Sequence, residues 1–149
     1  MRKNLVNRLL VFVSVIVLST AAFADNDKPV EINQLPQTAQ QIIKKYFAGK
    51  DVAMATLENG ILDKEYDVVF TDGNKIEFDR KGQWTSIECK PQVPAALVPA
   101  KIAQYVGNKY AGLKILKIDK DNKEYDVKLS NGLEITFNKN FKVVEIDKD

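Results

Sequence analysis

The chain states one pattern twice, and that limits its fold more than any other feature. Residues 64–88 read KEYDVVFTDGNKIEFDRKGQWTSIE and residues 123–147 read KEYDVKLSNGLEITFNKNFKVVEID, aligned without a gap at an offset of 59. Lys, Glu, Tyr, Asp and Val recur together, and Gly73, Ile76, Phe78 and Ile87 match Gly132, Ile135, Phe137 and Ile146. Self-similarity of this length marks one supersecondary unit that buries its apolar face against a second copy.

Period-two alternation identifies that unit as hairpins. Tyr66, Val68 and Phe70 fall on one side of a strand, Asp67, Val69 and Thr71 on the other. Tyr125, Val127 and Leu129 repeat the apolar side; Asp126, Lys128 and Ser130 repeat the polar one. Asp72-Gly73 and Asn131-Gly132 suit a type I′ turn, whose two central residues both need positive φ. The returning strands carry Ile76 and Phe78, or Ile135 and Phe137, inward. A further turn follows at Lys81-Gly82. Its counterpart, Asn140-Phe141, lacks the Gly, so Asn140 is expected to take any strained position.

A helix precedes each set of strands. Ala39, Ile42, Ile43, Tyr46 and Phe47 recur at helical spacing after Pro36, and Gly49 suits the end. Ile102, Tyr105, Val106 and Tyr110 do the same after Pro99, with Gly112 just past the end. Short strands follow at about 52–58 and 113–119, with turns at Asn59-Gly60 and Asp121-Asn122. The expected fold is α+β: two tandem helix-plus-four-strand repeats, with the two sheets joined edge to edge and both helices on one face. The expected layout is a signal peptide at 1–24, a flexible tail at 25–34, a first repeat at 35–89, a linker at 90–98 stiffened by Pro91 and Pro94, and a second repeat at 99–149.

The signal peptide rests on Arg2, Lys3 and Arg8 before the apolar run Leu9–Leu18, with Ala22-Phe23-Ala24 as a small-x-small cleavage pattern. Without 1–24 the 22 basic residues fall to 22 − 3 = 19 against 20 acidic ones. Such a balance points to no nucleic-acid groove, and no second apolar run is long enough to cross a bilayer, so no stable membrane insertion is expected after cleavage. The sole Cys, Cys89, is not at the cleavage site, which argues against lipidation, and it has no partner for an internal disulfide.

The ordered set Leu35-Pro36, a helix ending Tyr46-Phe47, Glu65-Tyr66-Asp67-Val68, Asp72-Gly73, Ile76-Glu77-Phe78-Asp79, Gly82 and Trp84 resembles the PepSY-like, β-lactamase-inhibitor-like family of secreted bacterial proteins. Val98-Pro99, Tyr110, Glu124-Tyr125-Asp126-Val127, Asn131-Gly132 and Ile135-Thr136-Phe137-Asn138 repeat it, so the resemblance spans roughly residues 35–147. It implies a fold similar to the β-lactamase inhibitor protein and implies export; inhibition itself would be an analogy of fold. Phe141 and Val143 depart from the pattern where the first half has Gly82 and Trp84.

Catalytic chemistry is scarce. With no His, Ser-His-Asp and Cys-His arrangements and imidazole metal ligands are excluded. The pairs Glu65/Asp67, Glu77/Asp79 and Glu124/Asp126 could face a sugar cleft, but Lys64, Lys75, Arg80 and Lys123 interleave them, as on a solvated face. Asp119-Lys120-Asp121-Asn122 lacks the Gly and distant Glu of a calcium loop and reads as a polar turn. No enzyme activity, metal or cofactor is expected.

The expected function is an exported binding module that inhibits or regulates another exported protein or peptide through its sheet face. Asp67, Val69, Glu77, Trp84, Asp126, Lys128, Glu134 and Thr136 are the candidate contacts. Trp84 is either an exposed anchor or a ring packed at the sheet end. Apolar or aromatic residues clustered on that face would favour a protein partner; a uniformly charged face would not. A small-ligand or envelope-sensing domain, which needs a partly apolar pocket, stays open, as does a carboxylate-dependent hydrolase. The oligomeric state is not legible.

Overall fold

The computed structural model describes residues 27–61 and 63–148; the signal-peptide region 1–24 lies outside the described residues. Among the described residues nine strands form one antiparallel sheet in chain order: β1 (Asp27–Pro29), β2 (Val52–Asn59), β3 (Lys64–Phe70), β4 (Lys75–Asp79), β5 (Trp84–Glu88), β6 (Ile115–Lys120), β7 (Glu124–Leu129), β8 (Leu133–Asn138) and β9 (Val143–Lys148). Two helices, α1 (Gln37–Tyr46) and α2 (Ala100–Lys109), precede β2 and β6.

Register shows why the sheet is continuous. Ala55, Val68, Ile76, Ile87, Ile118, Val127, Ile135 and Ile146 stand opposite one another in turn across eight strands. All but Ile146, on the terminal strand, are buried. One row of aliphatic side chains thus crosses the molecule, and each fully buried member contributes about 1.5–3 kcal/mol of transfer energy. The halves meet at β5–β6, where Ile87 faces Ile118 and Ser86 faces Asp119. Ala39, Ile43 and Phe47 from the first helical segment, and Ile102 and Val106 from the second, belong to the same buried cluster.

The hairpin turns differ in type from the sequence expectation. Gly73 and Gly132 have φ of 85° and 86°, while Asp72 and Asn131 do not have positive φ. The Gly73 N–H donates to the Phe70 carbonyl, and the Phe70 N–H donates to that of Asn74. This is a three-residue loop with one left-handed residue at its end, not a type I′ pair. The Asp72 carboxylate accepts from the Asn74 N–H at 3.0 Å, so its side chain shapes the turn. The β8–β9 turn follows the same geometry with Phe141 at φ 61°, so Phe141 rather than Asn140 takes the strained position.

The tail also needs correction. Asp27–Pro29 is an edge strand, pairing Asp27 with Glu58 and Pro29 with Thr56, and the Val30 N–H donates to the Ala55 carbonyl. A short 3₁₀ turn, Ile32–Gln34, leads into α1. The 90–98 segment is likewise fastened: Val93 and Val98 are buried, and the Val93 N–H donates to the Ile115 carbonyl.

Candidate functional site

Strand parity puts every residue beside the aliphatic row on the opposite, outer face. One outer row runs Thr56, Asp67, Glu77, Ser86, Asp119, Asp126, Thr136, Glu145. The next runs Met54, Val69, Lys75, Glu88, Lys117, Lys128, Glu134, Asp147. A third, shorter row is wholly acidic: Asp27, Glu58, Glu65, Asp79. These rows hold twelve carboxylates and three lysines, although the chain after residue 24 is nearly neutral. The charge is therefore segregated: most lysines lie at turns, on helices or on the core side.

The three lysines are engaged. Lys75 lies 2.6 Å from Glu77 and 3.3 Å from Asp67; Lys117 lies 3.2 Å from Asp119, and Lys128 3.3 Å from Glu134. The Thr136 hydroxyl donates to Asp126 at 2.6 Å. Partial burial raises the pKa of Asp67; Lys75 opposes that shift, and Glu77 reinforces it. Burial also raises that of Glu65, with Glu58 and Glu77 adding to it. Burial would lower Lys75, but its hydrogen bond to Glu77 and the charge of Asp67 carry it upward. Burial is the main cause for the two carboxyls, with neighbouring carboxylates adding to it, whereas Lys75 is carried upward by its acidic partners. Lys117, Asp119, Asp126, Lys128 and Glu134 line a depression of about 260 Å³ on this face.

Seven of the eight sequence candidates, Asp67, Val69, Glu77, Asp126, Lys128, Glu134 and Thr136, occupy these rows. Trp84 does not. It is only 8% exposed, belongs to the core cluster, and has the Lys120 ammonium 4.0 Å above its ring. A β-bulge between Glu77 and Phe78 shifts the pairing so that Trp84 stands opposite inward Phe78. The apolar patch that would favour a protein hot spot is missing among the described residues of this face, where Val69 is half-buried and Met54 lies towards one edge. Sequence reasoning missed Lys75, Lys117, Asp119 and Glu145. Parity alone would have found Lys75 and Glu145. Asp119 stands both at the end of the expected strand and at the start of the expected polar turn; β6 runs on to Lys120 and places it in the ladder. Asp121 does make the turn, accepting from the N–H groups of Lys123 and Glu124.

The profile described as "Putative beta-lactamase-inhibitor-like, PepSY-like" matches residues 64–145. That is more than half of the chain. The chain belongs to the PepSY-like, β-lactamase-inhibitor-like family. A "putative periplasmic protein" of Bacteroides vulgatus is 53% identical, with a TM-score of 0.82 over 85% of this chain and 100% of its own. A "putative calcium-regulated periplasmic protein" of Bacteroides thetaiotaomicron is 48% identical, with a TM-score of 0.81 over 85% and 100%. A second Bacteroides vulgatus periplasmic protein, of unknown function, is 34% identical, with a TM-score of 0.77 over 82% and 99%. No curated protein matches the family member described here. No helix among its described residues is long and apolar enough to cross a membrane.

Proposed function

We propose that this PepSY-like protein is an exported, non-enzymatic binding module whose acidic outer sheet face receives a cationic segment of another exported protein or peptide. The observation that carries this reading is the row Asp67, Glu77, Asp119, Asp126 and Glu145, flanked by a wholly acidic row. Strand spacing separates neighbouring rungs by about 4.8 Å, which suits an extended chain presenting Lys or Arg at intervals. Complementary charge of this kind governs encounter rate and specificity, and it weakens with salt. The reading replaces an aromatic anchor at Trp84 with electrostatic recognition. Export is supported by the basic and apolar N-terminal pattern and by relatives described as periplasmic.

Duplication supports the same reading. Residues 35–89 and 99–149 are read as two copies joined by 90–98, since Tyr66 faces Phe78 as Tyr125 faces Phe137, with a bulge after Glu77 and after Thr136. Two copies with both helices on one side would leave one broad outer face. Calcium, which appears in the name of one relative, would need converging carboxylates; the outer acids are spread along a ladder, and no group of three metal-ligating side chains occurs among the described residues.

The test is fluorescence polarisation with a labelled oligolysine peptide. Binding should saturate at low salt and weaken steeply with added chloride. Replacing Asp67 and Asp126 by Asn together with Glu77 by Gln should weaken it at least tenfold. Equal binding by that variant, or none by the native protein at low salt, overturns the reading.

A further inference from the structure

We propose that Trp84, Lys120, Tyr125 and Lys139 form a site for a small organic or inorganic oxyanion, a carboxylate or phosphate group, at the rim of the core side where the two halves meet. The site does not rest on the reading of the acidic face, although Asp79 borders both.

Its foundation is a lysine in an aliphatic place. Tyr66 pairs across the sheet with Leu57, whereas Tyr125 pairs with Lys120. Leu57 and Lys120 are both half-buried on the core-facing side. Burial there pushes the Lys120 ammonium below its ordinary pKa, the charge of Lys139 adds to that, and Asp79 opposes it more weakly. Lys120 and Lys139 line the same depression. Lys120 lies 4.0 Å from the Trp84 ring centroid and Lys139 lies 4.4 Å from that of Tyr125. Cation–π contact holds an ammonium in place without neutralising it. Neither lysine has a carboxylate within 4.0 Å among the described residues.

Both lysines line one open depression of about 310 Å³, together with Gln83, Thr85, Asp79 and Asp121. Its openness lets a small ligand carrying one charged group reach both ammoniums from solvent. The two acids are occupied at one oxygen each: Asp79 accepts from the N–H groups of Lys81 and Gln83, and Asp121 from those of Lys123 and Glu124. Their remaining charge disfavours a polyanion and selects a ligand with a single charged group. An entering oxyanion would bridge two ammoniums that now repel each other, a charge-assisted contact of the strong class. Gln83 and Thr85 supply neutral donors for the rest of the ligand.

The chain has one Trp, so its fluorescence reports on this site alone. The purified protein is titrated with glucuronate and with inorganic phosphate at constant ionic strength; glucose and sodium chloride are the controls. A saturable change in Trp84 emission is expected with glucuronate, phosphate or both, and with neither control. A response to glucuronate alone identifies a carboxylated sugar as the ligand class, and a response to phosphate alone a phosphate group. Lys139→Gln, in an exposed turn and harmless to packing, should raise the apparent Kd at least tenfold, and Lys120→Met should do the same. Emission that follows ionic strength only, or a saturable response unchanged in Lys139→Gln, overturns the proposal.

Discussion

The β4–β5 and β8–β9 turns share a backbone and differ at its tightest point. Both close with the same pair of hydrogen bonds: the Gly82 and Phe141 N–H groups donate to the carbonyls of Asp79 and Asn138, and the Asp79 and Asn138 N–H groups donate to the carbonyls of Gln83 and Lys142. Both turns therefore need a left-handed residue in the third loop position, at φ 81° in one and 61° in the other. The first half supplies Gly, which adopts it freely. The second supplies Phe, for which it is a strained conformation. The reason lies in what each turn faces. A Cβ on Gly82 would come within 2.8 Å of the Pro36 Cβ and 2.9 Å of the Ala39 backbone nitrogen, because α1 presses onto this turn. Phe141 instead stacks on Tyr125 at 5.5 Å, with the Lys101 ammonium at the start of α2 5.9 Å from its ring. A hairpin type fixes the backbone, then, while the neighbouring helix decides whether a side chain can stand there.

Exchanging the two residues breaks the comparison most sharply. Gly82→Phe places a bulky side chain where the obstacle includes backbone, at a φ that already disfavours it. Overpacking and strain together predict a loss of about 3–5 kcal/mol, read by chemical denaturation. A loss below 1 kcal/mol would mean that α1 can withdraw from the turn, as the second half's geometry allows. The reverse change, Phe141→Gly, removes about 1–3 kcal/mol of strain but gives up an aromatic pair worth about 0.5–1.5 kcal/mol and adds the backbone entropy of Gly. Its net effect should stay within about 1 kcal/mol of zero. A double-mutant cycle with Tyr125→Leu would then isolate the stacking contribution; zero coupling would show the ring contact to be incidental.

The contrast also shows what a sequence can reveal. Alternation gave the strands and the inward set Val68, Ile76, Val127 and Ile135 because burial on one face is a period-two property. Tyr66 faces Phe78 and Tyr125 faces Phe137, pairs that share the 59-residue offset. The left-handed residue was misassigned, since Asn is the usual substitute for Gly there and the choice between Asn140 and Phe141 depends on loop length. The residue types leave Trp84 either an exposed anchor or a packed ring, because a bulge that reverses parity leaves no mark in them. The acidic rows were partly legible: Asp67, Glu77 and Asp126 came from alternation within β3, β4 and β7. Their extension through Asp119 needed cross-strand register, which is tertiary. The Lys120–Trp84 contact joins residues 36 positions apart and was invisible for the same reason.

The smallest expected effect concerns the seam between the halves. Cys89 extends β5 inward and is 2% exposed, while its counterpart at the 59-residue offset, Lys148, is exposed on the terminal strand. The Cys89 N–H donates to the Leu116 carbonyl, so the residue lies on the seam between β5 and β6. Burial pushes the thiol up to about 11 from an ordinary value of 9.0, with Lys50 opposing more weakly. A pKa raised on folding means that the unfolded chain loses the proton first. The resulting stability is fully present below about pH 9 and is lost as pH rises towards 11. Native protein and Cys89→Ala should therefore respond in parallel between pH 7 and 8.5. The native chain should lose stability faster above pH 9, once titrations common to both cancel in the difference. Parallel curves up to pH 11 would show that water reaches the thiol and that the β5–β6 seam opens more readily than the interior of either half.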